Sequence, residues 1–212
     1  MRKIGFTQTE EFSKERFEFR DVYDTMWVEL LESIKFIPYP IPNSIKNLNL
    51  WMKKSKLDGI ILTGGNDLSY LNEAVNPSLK RDELEFSLIN YCINYKIPLL
   101  GVCRGMQIIN YFFNGSLTNL KKHTQTNHRI LFQRQERSKQ KNVNSFHNWG
   151  IREINLSPEL LKIAVANDGS IEAIKHKKFP ILGIMWHPER TSNKFDDDDL
   201  EIIKDHFIQK VV

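Results

Sequence analysis

The sequence predicts a three-layer α/β domain, in which helices cover both faces of a central, mainly parallel sheet. Residues 57–65 and 97–103 are short apolar runs bounded by glycine or proline, a pattern typical of strands buried on both faces. Between them, residues 82–95 carry apolar side chains at helical spacing. Because parallel strands require crossover connections, this order of strand, helix and strand indicates a parallel sheet with helices packed on it.

The other predicted elements continue this alternation up to Leu120. Residues 3–7 read as a strand, and apolar residues at helical spacing predict a helix over 21–33. Beyond Leu120 the apolar pattern weakens, and we expect a basic loop with one short strand at 129–132. Two β-rich runs and an amphipathic helix that begins with four acidic residues complete the prediction, at residues 170–176, 179–187 and 196–207.

Composition narrows the class of protein. The 212 residues are expected to form one domain, 1–212, with the composition of a globular protein. Two cysteines, Cys92 and Cys103, are too few for a disulfide framework and favour a cytoplasmic location. We find no signal-peptide core and no apolar run long enough to span a membrane, so no membrane association is expected. The net charge of +4, without a reader motif, argues against a nucleic-acid partner.

The strongest chemical signal is the sequence GVCRG at residues 101–105. A cysteine between two glycines, where a buried strand meets a helix, is typical of a nucleophile held on a sharp turn. The positive end of the helix that begins at Arg104 favours the thiolate, which is the species that attacks carbonyl carbon. A buried structural cysteine in a glycine-rich turn is the alternative. Gln107 lies one helical turn beyond Cys103 and faces either a substrate or solvent.

Two further segments supply groups that acyl transfer requires. The sequence TGGND at residues 63–67 follows a buried strand, and its backbone N–H groups form either an oxyanion hole or a simple tight turn. His187 ends an apolar strand, and Glu189 follows closely enough to accept a hydrogen bond from the imidazole. A purely structural histidine at the end of a strand is the competing interpretation.

The remaining histidines give no sign of a metal site. We expect His123 and His128 to be solvated in the basic loop, and His206 to be solvated on the terminal helix. No group of histidines and cysteines has the spacing of zinc ligands. The sequence therefore predicts no metal.

Together these motifs resemble the class I glutamine amidotransferase-like superfamily and, within it, the γ-glutamyl hydrolases of the peptidase C26 type. The matching segments are TGGND, PLLGVCRGMQ, VNSFHN and GIMWHPE, in the family's order. The resemblance implies a flavodoxin-like three-layer fold and a cysteine thioester mechanism without a cofactor. It also implies roles for these residues: a triad of Cys103, His187 and Glu189, oxyanion donors at the backbone of Gly65 and Arg104, and substrate contacts from Gln107, Asn144, Ser145, Phe146 and His147.

The basic segment bears on the leaving group. Residues 118–142 carry seven lysines and arginines against one acid, and Arg104 together with VNSFHN looks like the hydrolase branch of the superfamily. The small size and the basic segment are similar to bacterial γ-glutamyl-CDP-amidate hydrolases. That resemblance implies an anionic, nucleotide-linked γ-glutamyl phosphoramidate as substrate, in capsule polysaccharide modification. We expect Arg129, Arg134 and Arg137 to contact its phosphates, unless the segment is merely solvated.

Three other functions fit the same motifs. One is a glutaminase subunit that delivers ammonia to a synthase, and another is a hydrolase of γ-glutamyl-polyamine or γ-glutamyl-aminobutyrate substrates. The third is a non-catalytic binding protein on the same fold. The hydrolase interpretation requires no obligate protein partner.

Overall fold

The computed structural model describes residues 1–120, 123–134, 137–191 and 194–208, except for the side chains of 133–139. The strands are β1 Lys3–Thr7, β2 Thr9–Ser13, β3 Glu18–Val22, β4 Ile37–Ile41, β5 Gly59–Leu62, β6 Leu99–Val102, β7 Thr118–Asn119, β8 Thr124–Arg134, β9 Arg137–Phe146, β10 Trp149–Gly150, β11 Leu160–Ala166, β12 Ile171–His176 and β13 Ile181–Ile184. The helices are α1 Met26–Ser33, α2 Leu48–Ser55, α3 Leu79–Tyr95, α4 Arg104–Phe112 and α5 Asp197–Ile208, with a short 3-10 turn at Glu153–Asn155.

One large sheet organises the described residues, with the strand order β4-β1-β5-β6-β13-β12-β11-β8-β9. The first five strands are parallel to one another, and the last four extend the sheet by antiparallel pairing. The predicted three-layer α/β fold with a mainly parallel sheet is confirmed. The carboxyl ends of β5, β6 and β13 lie side by side, so the residues that follow these strands meet at one edge.

The helices form where local capping and apolar spacing favour them. Ser78 accepts a hydrogen bond from the backbone N–H of Arg81 and so caps α3, which contains the predicted helix 82–95. Helix α4 packs against β5, β6 and β13. Phe207 of α5 packs against Gly59, where a Cβ would lie 2.4 Å from the ring. None of the helices described is long and apolar enough to cross a membrane.

The prediction of a helix over 21–33 is wrong at its start. Helix α1 begins at Met26, because residues 21 and 22 belong to β3, which pairs with β2 in a separate hairpin. Within α1 the buried stripe consists of Trp27, Leu30 and Leu31.

The prediction of a basic loop after Leu120 is also wrong. Strands β8 and β9 pair in an antiparallel hairpin, in register from Thr124 opposite Phe146 to Arg134 opposite Arg137. The pattern was weak because this hairpin forms the edge of the sheet, where β9 has one neighbouring strand and polar side chains are tolerated. Only Ile130 of β8 and Val143 and Ser145 of β9 are buried among the side chains described there.

Candidate active site

Cys103 occupies the sharp turn between β6 and α4. Its backbone has φ 52° and ψ −105°, a conformation that costs a non-glycine residue energy and is found at nucleophile turns. The flanking glycines are required by close packing. A Cβ on Gly101 would lie 2.5 Å from the carbonyl carbon of Gly105, and a Cβ on Gly105 would lie 2.0 Å from the carbonyl oxygen of Leu62. The turn therefore has the geometry that the GVCRG sequence predicts.

His187 follows β13 and forms a buried pair with Glu189. Its Nδ1 lies 2.7 Å from Oε1 of Glu189, and each side chain is 2% exposed. Burial by itself lowers the pKa of His187, but the charges of Glu189 and Cys103 and hydrogen bonds to both outweigh burial and raise this pKa. An imidazolium beside the cysteine is thereby favoured, and an imidazolium stabilises a thiolate.

The glycine turn after β5 packs directly on the imidazole. A Cβ on Gly64 would lie 2.6 Å from Cε1 of His187. Gly65 has φ +121°, and a Cβ there would lie 2.2 Å from Oγ1 of Thr9. Both positions therefore require glycine. The turn lies beside the triad residues, where the predicted oxyanion donors Gly65 and Arg104 belong.

A buried ionic network ties this turn to the nucleophile turn. The guanidinium of Arg104 pairs with Asp82 and Glu85 of α3. Arg81 pairs with Glu85 at 2.9 Å and donates from Nη2 to the carbonyl oxygens of Thr63, at 2.8 Å, and Gly64, at 2.9 Å. Since the two arginines face two carboxylates, the buried charges are balanced. Helix α3 thus fixes both backbone segments beside Cys103.

Asn144 clamps the segment that carries His187 and Glu189. Its Oδ1 accepts a hydrogen bond from the backbone N–H of His187 at 2.8 Å. Its Nδ2 donates to the carbonyl oxygens of His187, at 2.9 Å, and Arg190, at 3.2 Å. The amide that the family resemblance assigned to substrate is therefore engaged with the protein backbone.

The other predicted substrate contacts divide between two faces of β9. Phe146 lies on the same face as Asn144, with its ring centroid 5.8 Å from that of His187. Ser145 and His147 lie on the opposite, buried face, where Ser145 donates to the carbonyl oxygen of His123. This division follows from the two-residue period of a strand. Gln107 is also buried and donates to the carbonyl oxygen of Trp149 at 2.8 Å.

A cleft of about 380 Å³ opens beside the glycine turn and Glu189. Its lining includes the carboxylates of Glu11 and Asp24 and the guanidinium of Arg190, which lies 4.7 Å from the ring centroid of Phe146. The cleft thus presents both signs of charge next to the triad residues.

The three predicted anion-binding arginines are all in the β8–β9 hairpin. Arg129 is exposed and pairs in register with Asn142, while Asn127 pairs with Asn144. Residues opposite one another in an antiparallel pair share a face, so Arg129 lies on the hairpin face that carries Asn144. The side chains of Arg134 and Arg137 lie outside the described residues.

Sequence reasoning missed a cluster of histidines. His123 and His128, which we expected to be solvated, lie with His147 around the buried carboxylate of Glu172. His206 is likewise not free in solvent, because its Nε2 lies 3.0 Å from the carbonyl oxygen of Leu99. No local spacing signals the cluster, since its members come from three separate segments.

The comparisons with known proteins agree with this architecture. Residues 4–189 match the model of the peptidase C26 family. The chain belongs to this family. It is a glutamine amidotransferase-like hydrolase by family, similar to a γ-glutamyl-CDP-amidate hydrolase from Campylobacter jejuni, with 36% identity over 96% of each chain.

Two further similarities are of other kinds. The chain is 30% identical to a glutamine-hydrolysing component of GMP synthase from Methanococcus aeolicus, over 74% of this chain and 79% of that protein. A solved structure from Thermoplasma acidophilum superposes with a TM-score of 0.71 at 21% identity, over 98% of this chain and 92% of that one. This last similarity is evidence for the fold alone.

Proposed function

We propose that this C26-family member hydrolyses a γ-glutamyl amide through a cysteine thioester. The observation that carries the proposal is the buried His187–Glu189 pair, whose imidazole is drawn to its charged form beside Cys103. A thiolate, an acid/base imidazole and a carboxylate that orients it are the groups that covalent acyl transfer needs.

In this mechanism the thiolate of Cys103 attacks the γ-carbonyl carbon and an S–C bond forms. The imidazolium of His187 gives its proton to the leaving nitrogen as the C–N bond breaks. Water then attacks the thioester, giving a proton to His187, and glutamate leaves as the thiolate is restored. Backbone N–H groups of Gly65 and Arg104 are proposed to stabilise the oxyanion at each stage.

We propose that the leaving group is a nucleotide-linked phosphoramidate, as in a γ-glutamyl-CDP-amidate. The support is the 36% identity to the C. jejuni hydrolase over nearly the full length of both chains. The charges of the cleft suit this division of the substrate, because Glu11, Asp24 and Arg190 match the zwitterionic glutamyl end. The same two carboxylates repel phosphate, so we assign the nucleotide end to the hairpin face that carries Asn144 and Arg129.

The test is glutamate release by the purified chain alone, with γ-glutamyl-CDP-amidate, γ-glutamyl-aminobutyrate and glutamine as substrates. We expect the first to give the highest kcat/KM. Cys103→Ala should abolish turnover, whereas Cys92→Ala should not, because burial raises the pKa of the Cys92 thiol and keeps it unreactive. Near-normal hydrolysis by Cys103→Ala would sink the mechanism.

A glutaminase that serves a synthase is the second candidate, favoured by the similarity to the M. aeolicus GMP synthase component. It predicts weak glutamine hydrolysis by the chain alone and strong stimulation by a synthase partner. Full activity on a γ-glutamyl substrate without a partner would reject it.

A further inference from the structure

Three imidazoles and one carboxylate converge in the antiparallel half of the sheet. His123 precedes β8, His128 lies within it, His147 follows β9, and Glu172 lies in β12. The ring centroid of His123 lies 4.9 Å from that of His128 and 5.0 Å from that of His147. His123, His147 and Glu172 are 5%, 4% and 1% exposed, so the cluster is shielded from solvent.

The atoms that face the centre of the cluster lack hydrogen-bond partners. His123 Nδ1 and His147 Nε2 each lie 4.0 Å from Glu172 Oε1, and His128 Nε2 lies 3.2 Å from Glu172 Oε2 without hydrogen-bond geometry. The three ring nitrogens and Glu172 Oε2 are buried and unsatisfied among the residues described. Native proteins rarely leave several such atoms together without a partner.

The atoms that face outward are held as those of metal ligands are. His147 Nδ1 lies 3.0 Å from the carbonyl oxygen of Trp149, which only accepts, so the proton is on Nδ1 and the lone pair of Nε2 faces inward. His123 Nε2 lies 3.1 Å from Asp168, which directs the lone pair of Nδ1 inward in the same way. Such outer partners, a carboxylate or a backbone carbonyl, fix the ring orientation and tautomer of ligating histidines.

We propose that His123, His128, His147 and Glu172 bind one Zn²⁺ ion. Imidazole nitrogen and carboxylate oxygen are suitable zinc ligands, and four protein ligands make a closed, structural site. The ligand atoms of His123, His147 and Glu172 already lie within 4.8 Å of one another. Tetrahedral zinc with bonds of about 2.1 Å places its ligand atoms roughly 3.4 Å apart, so the side chains need to close in by about an ångström.

The position of the site gives the ion a role separate from the chemistry of Cys103. It would fasten both ends of the β8–β9 hairpin, at His123 and His147, to β12. The opposite face of β9 carries Asn144, which clamps the backbone of His187. The ion is therefore expected to stabilise the hairpin that positions the candidate triad, without contact with the substrate.

The test uses the full chain without a histidine tag, stripped with a chelator, in the Cys103→Ala background. This background removes the thiolate that would otherwise compete for metal. Titration with Zn²⁺ in a calorimeter should give one site per chain. With free Zn²⁺ at about a hundred times Kd, Tm should rise by about 5–10 °C. Co²⁺ should give the visible absorption of a tetrahedral site without a thiolate charge-transfer band.

Ligand variants locate the ion. Glu172→Gln should abolish the binding isotherm and the Tm shift, and His128→Asn, at a less buried ligand, should weaken both while the chain still folds. The matched control is His206→Gln, because its amide can still donate to Leu99, and it should bind Zn²⁺ as the parent does. Absence of one-site binding, retention of binding in both ligand variants, or binding that exists only when Cys103 is present would each overturn the proposal.

Discussion

The imidazole of His187 lies against Gly64, so closely that a Cβ on that glycine would be 2.6 Å from Cε1 of the ring. This contact sets the position of the ring from the side of β5, while Glu189 holds it at Nδ1. The orientation of the imidazole therefore depends on the glycine turn as well as on its carboxylate partner.

Gly64→Ala is expected to displace the ring of His187 and to lower kcat by about 100-fold, since shifts near an ångström cost that much in aligned active sites. The measurement is steady-state kinetics together with a thermal melt. Gly169→Ala is the control, because Gly169 has φ +83° and a Cβ there would lie 3.7 Å from its nearest neighbouring atom. That variant should lose some stability and keep kcat. Equal kcat for Gly64→Ala and the wild type would show that the ring tolerates the methyl group.

Glu189→Gln is expected to lower turnover by about 10³–10⁴-fold while the fold is kept. The negative charge of Glu189 raises the pKa of His187, so its removal lowers that pKa. Loss of the imidazolium ends activity on the alkaline side, and the alkaline limb of kcat/KM against pH should therefore move to lower pH. Exposed Glu201→Gln serves as control. An unchanged rate and profile would mean that another acid orients the imidazole.

Asn144 separates a positioning role from a substrate-binding role. If its main function is to hold the backbone of His187, Asn144→Ala should lower kcat about 10- to 100-fold with little change in KM. If it binds the glutamyl group, as the family resemblance implies, KM should rise instead. Asn142→Ala, on the same strand and away from His187, should change neither. Kinetics with saturating and limiting substrate distinguish the two outcomes.

Sequence patterns predicted the half of the fold in which strands are buried on both faces. Runs such as 57–65 and 97–103 are continuous and apolar, so each signals a central strand without knowledge of its neighbours. The GVCRG turn was predictable for a similar reason, because the requirement for glycine is local. Strands β8 and β9 were missed because a polar hairpin at the edge of a sheet has few buried side chains.

The histidine cluster could not have been predicted from spacing. Glu172 lies 44 to 49 residues from His128 and His123 along the chain, and only strand pairing brings them together. Likewise, the two roles of β9 became apparent only from its register. Asn144 faces His187, and its neighbour Ser145 faces His123. The motif VNSFHN therefore predicted that the segment matters but not which face does what.

The buried network should govern stability at low pH. Burial alone would raise the pKa of Glu85, but Arg104 and then Arg81 outweigh it and hold this pKa below its ordinary value. A depressed pKa contributes stability above the unfolded value, near about 4.3, that is lost as pH falls through the folded value. Glu85→Gln should cost about 3–5 kcal/mol at pH 7, because it leaves buried arginines uncompensated.

Urea unfolding at pH 7 and at acid pH measures this contribution. The wild type should lose stability on acidification more steeply than Glu85→Gln, because the variant no longer has this carboxylate to protonate. Glu83→Gln, on the exposed side of the same helix, should behave as the wild type at both pH values. A loss below about 1 kcal/mol for Glu85→Gln at pH 7 would contradict a structural role for the network.

Charge reversal on the basic hairpin tests the proposed leaving group. Arg129 lies on the hairpin face that carries Asn144, so Arg129→Glu should raise KM for a γ-glutamyl-CDP-amidate several-fold and make it more salt-dependent. KM for an uncharged γ-glutamyl amide should change little. Arg134→Glu and Arg137→Glu extend the series along the hairpin, and Lys54→Glu on α2 is the control for a change in net charge. If both substrates respond equally, or neither responds, the hairpin does not select for phosphate, and a γ-glutamyl-polyamine or γ-glutamyl-aminobutyrate substrate fits the site better.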